Sequence, residues 1–364
     1  MNTRMIRPGN FILTGFEGSS PSSELESFVR SQRPAGFIFF ARNIAATRKE
    51  VFRLNQWFVD LYQSLDELPP ILAIDHEGGR IHRLGTLATN YPLPGDLSES
   101  AMAEVGRIGH QQGRELFALG FNLAFGPVYD ISSSNGKATA LQARSWSSDP
   151  LIATSRAEAV RSGLEQAGLL TCPKHFPGYG CTRLDPHIGL SHVNTNVDQW
   201  RHADGFPFES AIHSGIRALM TAHLTFDAID PKFPASLSPI WSDILREELG
   251  FSGVIVPDDL CMGALQEWAT SPAALAVRAF EAGADLALIG HPESLEALEG
   301  EIQSLASSIA SSTRLKKNLD LSHQRLRTLR KCLASSRCSP DSRIFEESEL
   351  LLKEILHSVQ PAFL

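Results

Sequence analysis

The chain has 364 residues, of which 43% are hydrophobic and 20% are charged, and its formal net charge at pH 7 is -8. This composition is typical of a large folded core and excludes wholesale disorder. An acidic surface repels a phosphate backbone, so a nucleic acid is not expected as a partner. The length suits one α/β barrel with additional helices.

The beginning of the chain contains no predicted targeting segment. Its first apolar stretch, Phe11–Leu13, is too short for the core of a signal peptide, and no uncharged apolar run elsewhere is long enough to cross a bilayer. The five cysteines are an odd number and indicate reduced thiols. We therefore expect a cytoplasmic protein without membrane association.

Eight short apolar runs predict β-strands. Most are continuous rather than alternating, as expected for parallel strands that are covered on both faces. In chain order they are Phe11–Leu13, Gly36–Phe40, Ile71–Ile74, Leu123–Val128, Leu169–Cys172, Ala218–Ala222, Gly253–Val256 and Leu286–Ile289.

Helical patterns occupy the intervals between these runs. Thr47–Leu65 opens on Thr47 with Glu50 three residues later, which is the spacing of a capping box. The other predicted helices are Ser98–Leu119, Asp149–Ala167, Ser238–Leu249, Pro272–Ala282, Glu293–Ser307, Arg314–Ser335 and Phe345–Val359.

The alternation of strands and helices predicts an α/β fold, namely a (β/α)8 barrel of the TIM type with additional C-terminal helices. A doubly wound open sheet is the alternative. We expect a single catalytic domain over residues 1–364, with a core at about 10–310 and a helical extension at about 314–360.

Polar and charged residues follow five of the predicted strands. In an α/β barrel, chemistry is carried by the C-terminal ends of the strands. The segments are Asp75–Arg80, Tyr129–Asp130, Lys174–Gly180, His223 and Pro257–Asp259. A single aspartate at a strand end more often caps the next helix, but five such ends on one rim favour an active site.

The aspartates at Asp258–Asp259 and at Asp185 each have more than one possible role. Of Asp258 and Asp259, one can cap the following helix while the other points into the mouth of the barrel as a nucleophile, a base or a metal ligand. Asp185, two residues before His187, can accept an imidazole N–H and fix the tautomer of the ring. The alternative is a loop in which Asp185 forms an Asx turn and His187 faces solvent.

A metal site is a further alternative, because several histidines could supply ligands. They are His76, His175, His187, His192 and His223. Their spacing does not match H-E-x-x-H, and Lys174 beside His175 is unfavourable next to a metal cation. We therefore predict neither a metal nor another cofactor.

Four motifs occur in order along the chain. They are Asp75–Arg83 (D-H-E-G-G-R-I-H-R), Arg144–Trp146 (R-S-W), Lys174–Gly180 (K-H-F-P-G-Y-G) with Asp185–His187 (D-P-H), and Gly253–Met262 (G-V-I-V-P-D-D-L-C-M). They resemble the motifs of glycoside hydrolase family 3, specifically its single-domain bacterial β-N-acetylglucosaminidases of the peptidoglycan-recycling type. The resemblance covers roughly Phe37 to Gly290.

The resemblance implies roles for the matching positions only. Asp258 matches the family's nucleophile, His187 its acid/base and Asp185 the partner of that histidine. The residues that match those gripping the sugar hydroxyls and N-acetyl group are Asp75, Arg83, Arg144, Lys174 and His175. The implied activity is that of a retaining β-N-acetylglucosaminidase. Its implied partner is a small glycan or muropeptide of the N-acetylglucosaminyl–anhydro-muramic acid type.

The sequence departs from the family pattern around these residues. Tyr179 replaces a histidine, Cys181 an aspartate and Pro186 a serine, and Pro257 before the nucleophile is unusual. The first three changes alter the loop that presents His187 without removing a catalytic atom, and Pro257 removes one backbone donor at the strand end. A glycoside phosphorylase of the same family, a catalytically silent carbohydrate-binding barrel and a metal-dependent hydrolase are the alternative functions.

Overall fold

The computed structural model describes residues 7–132, 143–180, 182, 190–269, 271–333 and 340–359. Its strands are β1 (Ile12–Thr14), β2 (Gly36–Phe39), β3 (Ile71–Ile74), β4 (His76–Gly78), β5 (Ile81–His82), β6 (Leu123–Val128), β7 (Leu170–Lys174), β8 (Ser191–Val193), β9 (Ala218–Thr221), β10 (Leu224–Phe226), β11 (Val254–Pro257) and β12 (Ala287–Ile289). All eight predicted strands are present, within one or two residues of the predicted bounds.

Six strands form one parallel sheet in the order β12-β1-β2-β3-β6-β7, and β9 and β11 form a parallel pair. Backbone hydrogen bonds connect this pair to both edges of the sheet. Phe176 N, just after β7, donates to Met220 O over 2.8 Å, and Asp285 N, just before β12, donates to Ile255 O over 2.9 Å. The fold is therefore α/β with a parallel half-barrel sheet.

The strands are buried because helices cover them and aromatic side chains fill the space between the layers. Phe16 makes edge contacts with Phe37, Phe39 and Phe58, at ring-centroid distances of 5.6, 5.1 and 5.6 Å. All four rings are at most 1% exposed. Edge-to-face packing of this kind stabilises the aromatic cluster beyond simple burial of area, and it holds β2 rigidly beside α2.

The helices are α1 (Ser23–Gln32), α2 (Arg48–Ser64), α3 (Met102–Ala118), α4 (Pro150–Gln166), α5 (Val197–His202), α6 (Gly205–His213), α7 (Pro239–Asp243), α8 (Pro272–Ala282), α9 (Leu295–Ser311), α10 (Thr313–Lys331) and α11 (Ser342–Val359). The predicted capping box of α2 is confirmed, since Thr47 accepts from Glu50 N and Glu50 accepts from Thr47 N. The helix predicted over Ser238–Leu249 is present as α7, which continues directly into a π-helical turn at Ile244–Glu248.

Helix α10 is fixed to the sheet by one buried carboxylate. Asp285 is fully buried and accepts from Ser322 Oγ at 2.8 Å and from Arg325 at 2.9 Å, both on α10. It also accepts from Ile255 N on β11 at 2.8 Å and from Arg246 at 2.5 Å. A buried carboxylate is stable only when it is paired and hydrogen-bonded in this way.

No helix in the described ranges has the length and apolar character needed to cross a membrane.

Candidate active site

A buried lysine joins the ends of two strands. Lys174 ends β7 and its side chain is only 3% exposed. Its Nζ lies 2.5 Å from Asp75 Oδ1, directly after β3, and 2.7 Å from Glu77 Oε1 on β4. Burial alone would lower the pKa of Lys174, but the two carboxylates outweigh it and raise the pKa above its ordinary value. The lysine is therefore a permanent cation at neutral pH.

Glu77 is a bridge between this lysine and an arginine. Arg144 donates from Nε to Glu77 Oε2 over 2.7 Å and from Nη2 to Oε1 over 2.8 Å, a bidentate pair. The Glu77 side chain is only 4% exposed. Burial opposes ionisation of Glu77, but Arg144 and Lys174 hold its pKa well below the ordinary range. The cluster thus consists of two cations and two carboxylates whose relative positions are fixed.

The tautomer of His175 follows from its two ring contacts. Nδ1 lies 2.7 Å from Asp130 Oδ2, and Nε2 lies 3.3 Å from Arg144 Nη2. Because a guanidinium only donates, Nε2 must accept and Nδ1 must carry the proton that Asp130 accepts. Asp130 is 1% exposed, and its other oxygen accepts from Tyr179 N at 2.9 Å. This carboxylate holds His175 in one orientation.

Asp258 follows β11 and is partly exposed. Its Oδ1 accepts from Asp259 N at 2.8 Å. Burial alone would raise the pKa of Asp258. This effect is outweighed by His175, His223, the hydrogen bond from the Asp259 amide and Lys174. Together they hold the pKa of Asp258 below its ordinary value. Asp258 is therefore ionised at neutral pH.

The neighbouring Asp259 has a different environment. Its Oδ1 accepts from Cys261 N at 3.0 Å and from Gly290 N at 2.9 Å, and its Oδ2 lies 2.9 Å from His291 Nδ1. The carboxylate is thus occupied with the backbone of the loop after β11 and the end of β12. Neither aspartate caps the following helix, because the N-caps of the next 3-10 turn and of α8 are Met262 and Ser271.

The structure brings together four of the predicted sugar-binding residues, namely Asp75, Arg144, Lys174 and His175. Arg83, just after β5, makes no hydrogen bond or ion pair with these four, and its buried Nε has no partner in the described part of the chain. Asp185 and His187 lie outside the described residues, so their positions relative to Asp258 are not part of this geometry.

Sequence reasoning assigned no role to Glu77 or Asp130. The signal for Glu77 was its place two residues after Asp75, because alternate residues of an extended chain lie on the same face and both can then reach Lys174. The signal for Asp130 was its place after β6, the neighbour of β7 in the sheet.

The described residues contain no group of three or more histidines, cysteines or carboxylates that could hold a metal ion. Of the histidines considered as ligands, His223 is fully buried and has both ring nitrogens occupied, with Nδ1 2.7 Å from Ser236 Oγ and Nε2 3.0 Å from Asp259 O.

A paired cluster of carboxylates and cations at the C-terminal ends of parallel strands is the setting of an α/β enzyme active site. The family profile described as "Glycosyl hydrolase family 3 N terminal domain" matches residues 7–329. The chain belongs to glycosyl hydrolase family 3.

Relatives and solved structures agree with this assignment. A beta-hexosaminidase from Stenotrophomonas maltophilia strain K279a is 31% identical, with 79% of this chain and 87% of that protein covered. Beta-hexosaminidase A from Pseudoalteromonas piscicida is 30% identical over 87% of this chain, and the chain spans only 56% of that relative. The structure of a family 3 beta-N-acetylglucosaminidase from Paenibacillus sp. superimposes with a TM-score of 0.87 at 31% identity, covering 96% of this chain and 67% of that one.

Proposed function

We propose that the chain is a retaining β-N-acetylglucosaminidase that hydrolyses terminal β-linked N-acetylglucosamine. The observation that carries the proposal is the environment of Asp258, a strand-end carboxylate whose pKa is held below its ordinary value beside the Lys174–Glu77–Arg144 cluster. The names of the two relatives, beta-hexosaminidase, and of the Paenibacillus structure support the choice of sugar.

In the proposed mechanism, Asp258 attacks the anomeric carbon and displaces the aglycone oxygen to form a glycosyl-enzyme. His187, with Asp185 as its partner, protonates the departing oxygen and then takes a proton from the water that hydrolyses the intermediate. Two inversions give net retention. The roles of His187 and Asp185 rest on the family motif, and histidine suits them because its ordinary pKa of about 6.5 allows proton transfer in both directions near neutral pH.

The other cluster residues would bind the sugar. Lys174 and Arg144 supply donors, Asp75 supplies an acceptor for a hydroxyl, and Arg83 has a buried nitrogen without a partner in the described residues. His175 lies beside Arg144, and its one N–H is already donated to Asp130. Because Glu77 and Asp130 already fix the cations and the imidazole, these donors need no reorganisation when charge develops on the sugar.

We also infer that the eight parallel strands close into a (β/α)8 barrel that forms, with α10 and α11, one catalytic domain. The backbone hydrogen bonds from β7 to β9 and from β11 to β12 support closure. A crystal structure with a gap at either seam would contradict it. The proposed natural substrate is a cytoplasmic muropeptide ending in an anhydro-muramic acid unit.

The function is tested by assaying the wild-type chain with 4-nitrophenyl N-acetyl-β-glucosaminide and with N-acetylglucosaminyl–anhydro-muramic acid, each followed by NMR. We expect β-N-acetylglucosamine as the first product, and little cleavage of the matching β-glucoside. The same yield of free sugar is expected in phosphate and in a neutral buffer. Formation of N-acetylglucosamine-1-phosphate would instead indicate a phosphorylase, and no cleavage would indicate a silent binding protein.

His187→Ala is expected to reduce kcat/KM on the disaccharide by about 10²-fold, because the departing sugar oxygen needs a proton. An activated phenolate leaves without one, so the formation of the glycosyl-enzyme from the nitrophenyl glycoside should be affected far less. The measurement is kcat/KM on both substrates. Equal losses would show that residue 187 is not the proton donor.

A further inference from the structure

The C-terminal helix α11 lies outside the segment that matches the family, which ends at residue 329. One face of this helix is nevertheless buried against the family fold, with Phe345 1%, Leu351 6% and Ile355 1% exposed. Gln111 on α3 donates to Ile344 O over 2.9 Å, and the guanidinium of Arg48 on α2 lies 3.7 Å from the centroid of the Phe345 ring. The helix is therefore firmly docked.

Between α11 and the active site lies a segment that we name the strap, residues 87–93. Arg48, which contacts α11, also donates from Nε to Leu87 O over 2.7 Å. Thr89 donates from its backbone N and from Oγ1 to the fully buried carboxylate of Glu115 on α3, the hydroxyl over 2.8 Å. The strap is thus fixed to α2 and α3, and both of these helices also contact α11.

Tyr91 connects both sides of the strap. Its side chain is fully buried, and its hydroxyl donates to Ser348 O on α11 over 3.2 Å. Its backbone oxygen accepts from Gly79 N at 2.7 Å, at the turn between β4 and β5. Gly78 has a φ of +99°, and a Cβ at this position would lie 2.4 Å from Tyr91 O. The backbones of the strap and of the β4–β5 turn are therefore so close that only glycine fits at position 78.

The β4–β5 turn belongs to the segment that carries Asp75 and Glu77 on one side and Arg83 on the other. We propose that α11 acts through Tyr91 as a brace that holds this segment in the shape that binds the sugar. Tyr91 is in this sense a positioning residue, since among the described residues its hydrogen bonds go to Ser348 and Gly79 and not to the proposed substrate-binding side chains. The expected effect of this brace on substrate binding rests on the proposed function. The contacts from α11 through Tyr91 to the β4–β5 turn do not depend on it.

Tyr91→Phe removes one hydroxyl and keeps the buried ring. The matched control is Tyr62→Phe, because Tyr62 is also buried and its hydroxyl donates to a backbone oxygen, Pro34 O, over 2.6 Å. Pro34 precedes β2, at the end of the strands opposite the site. We expect KM to rise about threefold to tenfold in Tyr91→Phe, with kcat nearly unchanged, and neither constant to change in Tyr62→Phe.

A second measurement does not depend on activity. Amide hydrogen exchange of Gly79, whose N–H is bonded to Tyr91 O, is expected to accelerate by about fivefold or more in Tyr91→Phe and not in Tyr62→Phe. Equal behaviour of the two variants in both measurements would overturn the brace. If the wild-type chain cleaves no N-acetylglucosaminide, the proposed function fails, and the exchange comparison alone decides whether the brace exists.

Discussion

Asp258→Asn is expected to lower kcat on every N-acetylglucosaminide by a factor on the order of 10⁴ or more, because an amide cannot form the glycosyl-enzyme. Asparagine has the shape of aspartate and keeps an oxygen to accept from Asp259 N, so the strand end should remain folded. The measurement is kcat on the nitrophenyl glycoside, together with thermal unfolding of the variant.

The neighbouring carboxylate supplies the control for this variant. Asp259→Asn keeps one acceptor for Cys261 N and Gly290 N and weakens the contact with His291. We expect it to lower thermal stability while retaining activity within about tenfold. A reversed order, with Asp259→Asn inactive and Asp258→Asn active, would move the nucleophile to the second aspartate.

Chemical rescue distinguishes the nucleophile from a residue that only binds. In Asp258→Ala the side chain is replaced by space, so azide can attack the anomeric carbon from the same face. The C–O bond to the aglycone breaks, a C–N bond forms, and the product is the α-glycosyl azide. Absence of rescue, combined with near-normal turnover, would point instead to attack by the substrate's own acetamido group, as in substrate-assisted glycosidases.

The strands were predictable because parallel strands covered on both faces consist of continuous apolar runs, such as Ile71–Ile74. The start of α3 was less predictable. The predicted helix began at Ser98, but α3 begins at Met102, since the preceding residues form a 3-10 turn at Pro94–Leu97 and a bend before Glu104 caps the helix. Such turns depend on contacts with neighbouring segments, which periodicity does not report.

The residues that organise the site were harder to find than those that contact substrate in the family. Asp130 is 45 residues away from His175 in the chain, and only the adjacency of β6 and β7 brings the two together. The brace formed by α11 was not predictable, because nothing in an amphipathic helix near the C-terminus indicates which surface it will cover. Local sequence specifies an element, whereas long-range pairing depends on the order of strands in the sheet.

Glu77→Gln is expected to reduce kcat/KM by roughly 10³-fold, which corresponds to about 4 kcal/mol of lost transition-state binding. Glu77 is the shared acceptor of Lys174 and Arg144, and a neutral amide offers only one oxygen and turns an N–H group toward a cation. The pKa of Glu77 lies below its ordinary value, so the stabilisation from its ionised form is complete at neutral pH and is lost as the pH falls below that ordinary value.

A variant of a second glutamate, Glu158→Gln, is the control that distinguishes lost positioning of the cations from lost stability. Glu158 also accepts from an arginine, Arg161, and from a hydroxyl, that of Tyr129, but it lies on α4 away from the Lys174 cluster. Glu158→Gln should lower the melting temperature without changing kcat/KM, whereas Glu77→Gln should lower kcat/KM at temperatures where it is fully folded. Parallel losses of stability and activity in both variants would mean that Glu77 is an ordinary structural ion pair. Loss of activity in Glu77→Gln alone would establish that the orientation of the two buried cations determines how tightly the sugar is held.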